Sequence, residues 1–113
     1  MQIDIRSLTG NLHPSMRTQI SRRLRYALSR FGRRIHRALV RLEDLNGPRG
    51  GLDKRCHIEA RVAGHGVMVA EVRDFELESA VSRAAERMAR RVRDQLNARR
   101  DVRKRRALVG DAW

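Results

Sequence analysis

The chain has 113 residues, enough for one domain with one modest hydrophobic core. Its 26 Lys and Arg outnumber 13 Asp and Glu, and the net charge of +13 predicts a polyanionic partner, nucleic acid first and an anionic membrane second. The only cysteine, Cys56, excludes an intrachain disulfide and a multi-cysteine metal site, and no apolar stretch approaches the roughly 20 residues of a membrane span.

A strand and then a helix are predicted at the N-terminus. Residues 1–6 alternate between apolar and polar, which is typical of a half-buried strand. They lack the basic and then apolar run of a signal peptide, so we expect a cytoplasmic location. Pro14 suits the first turn of a helix. Apolar residues at helical spacing then form one stripe, made of Met16, Ile20, Leu24, Ala27, Leu28 and Phe31.

Three further strands are predicted from alternation with period two. They cover residues 35–45, 54–62 and 67–72. The Gly-rich segment 46–51 marks the first connection, and Gly64-His65-Gly66 marks a tight hairpin turn. On these parities Ala38, Cys56 and Met68 face inward.

The last predicted element is a long helix from about Asp74, with a buried stripe that includes Val81, Ala84 and Met88. Past Leu96 the apolar pattern fades, and residues 99–106 hold six basic residues and one acid. We therefore predict a folded domain over residues 1–97 and a flexible basic tail over 98–113.

The predicted element order, β-α-β-β-β-α, indicates the α+β class. Each element has one apolar face, so both helices should pack on one face of a four-stranded mixed sheet. The first helix provides the crossover that makes the first two strands parallel, whereas short connections make the other strands antiparallel.

A ridge of arginines is expected on the exposed side of the last helix. About 100° of rotation per residue places Arg83, Arg87, Arg90 and Arg91 away from the buried stripe. A solvated helix face is the ordinary explanation, but acids at i±4 are scarce and like charges repel, which favours an anionic ligand. Four more basic residues extend this predicted binding set for a nucleic-acid backbone: Lys54, Arg55, Arg22 and Arg25.

No catalytic, metal or cofactor site is predicted. His36 shares the inward parity of Ala38, whereas His57 shares the outward parity of Arg55. The two side chains are therefore expected on opposite faces of the sheet, which argues against a shared metal ion. Cys56 has inward parity and is expected to be an inert core thiol. Glu59 and Glu71 are expected to pair with Arg61 or Arg73. The four aromatic residues are too few for a stacking surface, so phosphate and shape recognition should dominate.

The element order and several motifs resemble the ribosome hibernation-promoting factor family, also called ribosome-associated inhibitor A or sigma-54 modulation proteins. Met1-Gln2-Ile3 resembles the family's first strand, and residues 51–61 resemble short proteobacterial members. Residues 80–90 take the places of the family's last helix, with Ser82 and Ala89 where the family commonly has acids. The resemblance spans about residues 1–97. It implies binding to the small ribosomal subunit in the mRNA and tRNA channel. Arg87 and Arg90 match the family's basic positions best.

We therefore expect a bacterial, stress-related hibernation factor that binds small-subunit rRNA, inhibits translation and silences or stabilises idle ribosomes, monomeric off the ribosome. A general double-stranded RNA-binding protein that uses the same ridge is the alternative. A regulator that binds a transcription factor is a third hypothesis. The resemblance leaves open whether the protein blocks single ribosomes or promotes their pairing.

Overall fold

The computed structural model describes residues 1–45 and 53–111, and the predicted Gly-rich loop at 46–51 lies outside the described residues. The elements are β1 (Gln2–Ser7), α1 (Pro14–Leu28), a 3₁₀ segment (Ser29–Arg34), β2 (Ile35–Asp44), β3 (Lys54–Val62), β4 (Gly66–Asp74) and α2 (Leu77–Asp111). This order confirms the predicted β-α-β-β-β-α arrangement.

The four strands form one mixed sheet in the order β1-β2-β3-β4. β1 pairs with β2 in parallel, with Ile3 opposite Ala38, and the other two pairs are antiparallel. Ile58 in the middle of β3 lies opposite Val40 on one side and Ala70 on the other. The predicted topology is therefore confirmed, and β1 and β4 are the two edges of the sheet.

The core lies between the sheet and the two helices. α1 buries Ile20, Leu24 and Leu28, as its stripe predicted. α2 contributes the fully buried Met88, and it buries small residues such as Ala84, which let the helix lie close to the sheet. Burial of each large aliphatic side chain stabilises the fold by about 1.5–3 kcal/mol.

A β-bulge at the start of β2 overturns one prediction. The register shifts between Ile35 and Arg37, so the chain has one extra residue there. His36 is exposed and Ile35 is buried, the reverse of the parity predicted from the strand pattern. The prediction that His36 faces inward was therefore wrong, because a bulge inverts the alternation.

The second difference concerns the C-terminal basic run. α2 continues through Asp111, whereas the sequence predicted a basic tail over residues 98–113. The flexibility of that tail stays a prediction. Leu96 is the last apolar residue of α2 to pack against the core. Beyond it the composition of the segment favours the helix, because Arg, Lys and Ala have high helix propensity. The functional division of the chain at residue 97 stays a prediction.

Candidate nucleic-acid interface

A groove of about 950 Å³, which we call the helix groove, runs between α1 and α2 on the outer side of the helical layer. Buried Ala85 and Ala89 form part of its floor. Their small side chains let the two helices lie close together. Its remaining lining residues are mostly basic or polar: Arg22, Arg23, Tyr26, Ala27, Ser29, Arg30, Ser82, Glu86 and Arg90.

The helix groove carries a strong positive charge, with four arginines and one glutamate in its lining. Arg23 donates a hydrogen bond to the Ser82 hydroxyl across the groove. Arg22 and Arg90 are exposed and have no hydrogen-bond or ion-pair partner among the described residues. Two free guanidinium groups at a concave surface are suited to bind phosphates through paired N–H donors.

The sequence explains why no carboxylate from α1 neutralises this groove. No Asp or Glu occurs between residues 5 and 42, a segment that includes all of α1. Tyr26 is 88% exposed at the groove, where its ring offers an apolar surface among the arginines. The groove therefore combines donors for phosphate oxygens with one accessible aromatic ring.

Three of the four ridge arginines on α2 turn towards the free edge of β4. Nη1 of Arg87 donates to the carbonyl oxygen of Glu71 at 2.8 Å, and Nη1 of Arg91 donates to that of Val69 at 2.8 Å. These carbonyls belong to an edge strand, which is prone to pair with another chain unless it is covered. The two arginines therefore protect the β4 edge and remain exposed.

Arg83, the first arginine of the ridge, pairs with Asp74 at the N-terminal end of α2. Nη1 of Arg83 lies 3.1 Å from Oδ2 of Asp74. The other carboxylate oxygen accepts backbone N–H bonds from Phe75 at 2.7 Å and Glu76 at 3.4 Å, the two residues that lead into α2. The hydrogen bond from Arg83 is the main cause of a lowered Asp74 pKa.

Lys54, Arg55 and Arg25, predicted to extend the footprint, all have partners within the fold. Lys54 Nζ lies 2.5 Å from Asp44 Oδ2, and that hydrogen bond raises the Lys54 pKa. Arg55 pairs with Glu43 on the sheet face opposite the helices. Arg25 donates to the Met1 carbonyl oxygen at 3.3 Å. None of the three lines the helix groove, which Arg22 and Arg90 do.

The sheet face opposite the helices, the open face, is a network of paired charges. Glu59 Oε1 lies 3.4 Å from Nη1 of Arg41, and Glu71 Oε1 lies 3.5 Å from Nε of Arg55. His57 lies between the two glutamates, at 3.1 Å from Glu59 and 3.4 Å from Glu71. Partners of Glu59 and Glu71 are therefore Arg41 and Arg55, and the predicted pairing with Arg61 or Arg73 was wrong.

Arg23, Arg30 and Tyr26 were missed as members of the predicted site. Arg23 and Arg30 lie about one turn on either side of Tyr26 along α1 and the segment that follows it, so the three share one side of the helix. Hydrophobic periodicity shows which side of a helix is buried, but not which flank meets the neighbouring helix. The groove could be located only once α1 and α2 were placed beside each other.

Other kinds of site find little support in the described residues. Residues 1–45 and 53–111 contain no group of three or more His, Cys, Asp or Glu placed to hold a metal ion. Cys56 is buried, and burial raises its pKa to about 12, so it is a poor nucleophile at neutral pH. In the same residues, no helix combines the length and apolar character needed to cross a membrane.

Together the fold and the helix groove define a small, strongly basic α+β domain suited to a polyanionic ligand. The chain belongs to the Sigma 54 modulation protein / S30EA ribosomal protein family, whose model matches residues 3–100. No curated protein matches the chain.

Two solved structures have a similar fold. A ribosomal subunit interface protein from Coxiella burnetii has a TM-score of 0.73 at 12% identity, over 86% of this chain and 99% of that one. The N-terminal domain of Protein Y from Thermus thermophilus has a TM-score of 0.67 at 24% identity, over 81% and 96%.

Proposed function

We propose that this protein binds small-subunit rRNA through the helix groove, in the channel used by mRNA and tRNA, and so silences or stabilises idle ribosomes. The observation that carries the proposal is the pair of exposed, unpartnered guanidinium groups of Arg22 and Arg90, among the described residues, at a groove with one acid in its lining. Membership of the S30EA ribosomal protein family supports the ribosome as the source of the RNA.

The proposed contacts are graded by how free each side chain is. Arg22 and Arg90 contribute most, and Arg30 of the same groove adds to them. Arg23 also lines the groove and contributes the donors that its hydrogen bond to Ser82 leaves. The remaining ridge arginines contribute less, because each already uses one donor within the fold: Arg83, Arg87 and Arg91. A guanidinium has five N–H donors, so each of these keeps donors for a phosphate.

The smallest share is assigned to Lys54, Arg55 and Arg25. Lys54 and Arg55 are paired with carboxylates, and the negative charge of these partners weakens the attraction of Lys54 and Arg55 for a phosphate. Arg25 lies beside the β1 edge, away from the helix groove. Their replacement should weaken binding less than replacement of Arg22 and Arg90.

We also propose that the protein is monomeric off the ribosome, and both sheet edges support this. Arg17 Nη1 donates to the carbonyl oxygen of Ile5 at 2.8 Å on β1, as Arg87 and Arg91 do on β4. Positive side chains that reach over an edge strand from a helix oppose pairing with a second copy. Analytical ultracentrifugation of the free protein tests this, and a stable dimer would contradict it.

The experiment for the main proposal is co-sedimentation with purified small ribosomal subunits in moderate salt. The double variant R22E/R90E should lose co-sedimentation, because it reverses charge at the helix groove. The matched control is R61E/R73E, which makes the same charge change at exposed residues of the open face. Equal loss in both variants, or retained binding by R22E/R90E, would refute the groove as the binding surface.

Competition separates the proposal from general RNA binding. An excess of unrelated duplex RNA should displace little protein from small subunits if the channel is recognised. Equal affinity for free duplex RNA and for subunits would instead favour a general double-stranded RNA-binding protein. Both affinities are compared at one salt concentration, because phosphate contacts make RNA affinity steeply salt-dependent.

A further inference from the structure

A second basic cavity, which we call the hairpin pocket, lies where α2 passes the turn between β3 and β4. It has a volume of about 700 Å³. Four arginines and a histidine line it, together with three apolar or small residues and one amide, and none of these described residues is acidic. The lining residues are Arg34, Ala63, Gly64, His65, Leu96, Asn97, Arg99, Arg100 and Arg103.

The hairpin pocket is held in shape by contacts from three elements. Nη1 of Arg99 donates to the carbonyl oxygen of Gly64 at 2.5 Å, which fixes α2 against the turn. The backbone N–H of Ala63 donates to the carbonyl oxygen of Arg34 at 2.7 Å, which brings the end of the 3₁₀ segment to the same place. Leu96 packs against the core from the pocket side of α2.

Three guanidinium groups line the pocket besides that of Arg99. Arg34, Arg100 and Arg103 are exposed and have no hydrogen-bond or ion-pair partner among the described residues. Like charges held this close repel one another, so the arrangement favours an anion that bridges them. The planar, paired donors of arginine match phosphate oxygens.

Helix geometry places the hairpin pocket in line with the helix groove. Arg100 follows Ser82, and Arg103 follows Ala85, by roughly five complete turns of α2, or about 27 Å. Each pair therefore lies at the same angle around the helix, with one member in each cavity. A rise of about 27 Å corresponds to on the order of eight phosphates of one duplex strand.

We propose that the hairpin pocket is a second phosphate site, at which Arg34, Arg100 and Arg103 bind the backbone of the same RNA that occupies the helix groove. This inference rests on the proposed function and extends it along α2. Arg103 lies beyond residues 3–100, where the family model matches, so the contact uses a part of the helix outside the family's shared region.

The test measures the affinity for purified small subunits as a function of salt. R100A/R103A is compared with R105A/R106A, which removes the same charge from the same helical segment at residues outside the pocket lining. Alanine preserves helix propensity, so neither variant should unfold. Each lost phosphate contact lowers the slope of log affinity against log salt by about 0.7–0.9.

R100A/R103A should therefore show a slope smaller by about 1.4–1.8, whereas R105A/R106A should stay close to the wild type. Between 50 and 200 mM salt, the wild type should lose about 7- to 12-fold more affinity than R100A/R103A. Hydroxyl-radical footprinting should show that R100A/R103A no longer protects one stretch of the rRNA that the wild type protects. The control R105A/R106A should protect the same stretches as the wild type.

Three outcomes would overturn the inference. The first is an affinity and a salt slope that are both unchanged in R100A/R103A, and the second is an equal change of the slope in both variants. The third is weaker binding with an unchanged slope and footprint, which would indicate an acidic protein partner. If the wild-type protein does not sediment with subunits, the proposed function fails as well, and binding of the wild type separates the two failures.

Discussion

Loss of the arginines that cover the β4 edge should destabilise the protein without removing its RNA affinity. The perturbation is the double variant R87A/R91A. Each substitution removes one guanidinium–carbonyl hydrogen bond of 2.8 Å. Hydrogen bonds to charged groups contribute about 1.5–3 kcal/mol, but these are exposed and water replaces them, so about 1 kcal/mol each is expected.

The pair should then lower the free energy of unfolding by about 2 kcal/mol. For a domain of this size, about 1 kcal/mol shifts Tm by about 4 °C, so Tm should fall by about 8 °C. Thermal unfolding followed by circular dichroism measures this shift. R105A/R106A is the control, because it removes the same charge from α2 at exposed residues.

Equal Tm values for R87A/R91A and the control would refute a stabilising role of Arg87 and Arg91 at the β4 edge. A second readout is self-association, since uncovered carbonyls on β4 should permit edge pairing at high protein concentration. Below its unfolding temperature, R87A/R91A should keep more affinity for small subunits than R22A/R90A does. The reverse order would show that the ridge arginines, and not the helix groove, carry most of the RNA contact.

Three further predictions follow from individual residues. The pKa of Asp74 is lowered in the fold, so the stabilisation by Arg83 is complete above the ordinary carboxyl pKa of 3.8 and is lost as pH falls below that value. The free energy of unfolding in urea should lose this acid-dependent part in D74N. A pH profile of D74N equal to that of the wild type would contradict the pairing. Cys56, with a pKa of about 12, should resist a thiol reagent at pH 8 until denaturant is added. Gly64 has φ +77°, and a Cβ at this position would lie 3.2 Å from Nη1 of Arg99. The free energy of unfolding of G64A in denaturant should therefore be lower by about 1 kcal/mol or more. An unchanged free energy of unfolding would refute the strain.

Hydrophobic periodicity was sufficient to predict the order, topology and inward faces of the elements. Ile20 and Leu24 on α1, and Ile58 and Ala60 on β3, are buried where their patterns place them. The faces can be predicted because burial of apolar area dominates the choice of face, and because the helical period of about 3.6 residues differs clearly from the strand period of about 2. The bulge at His36 escaped, since one inserted residue leaves no mark in the composition of the strand.

The candidate site was only partly predictable, because a side chain's direction around a helix does not determine its partner. Arg83 and Arg90 differ by about 20° around α2, yet Arg83 reaches Asp74 and Arg90 lines the helix groove. A long arginine side chain can bend to either side of the helix, and its partner depends on which element packs on that side. The predicted ridge is therefore one exposed strip whose members have different partners.

The distribution of the acids determines which way the protein presents its charge. On the open face, Asp4 Oδ2 lies 2.5 Å from Nη2 of Arg37, and Glu43, Glu59 and Glu71 are paired as well. Paired charges on that face cancel over short distances, and salt screens the remainder beyond about 10 Å.

The helical side has less such cancellation, because α1 contains no acid and the helix groove has one glutamate among four arginines. The excess positive charge of the protein is therefore concentrated on one side of the sheet. A polyanion approaching the molecule should be steered to the helices before any contact forms. R61E/R73E should for this reason change the association rate with subunits less than R22E/R90E does, although both variants have the same net charge.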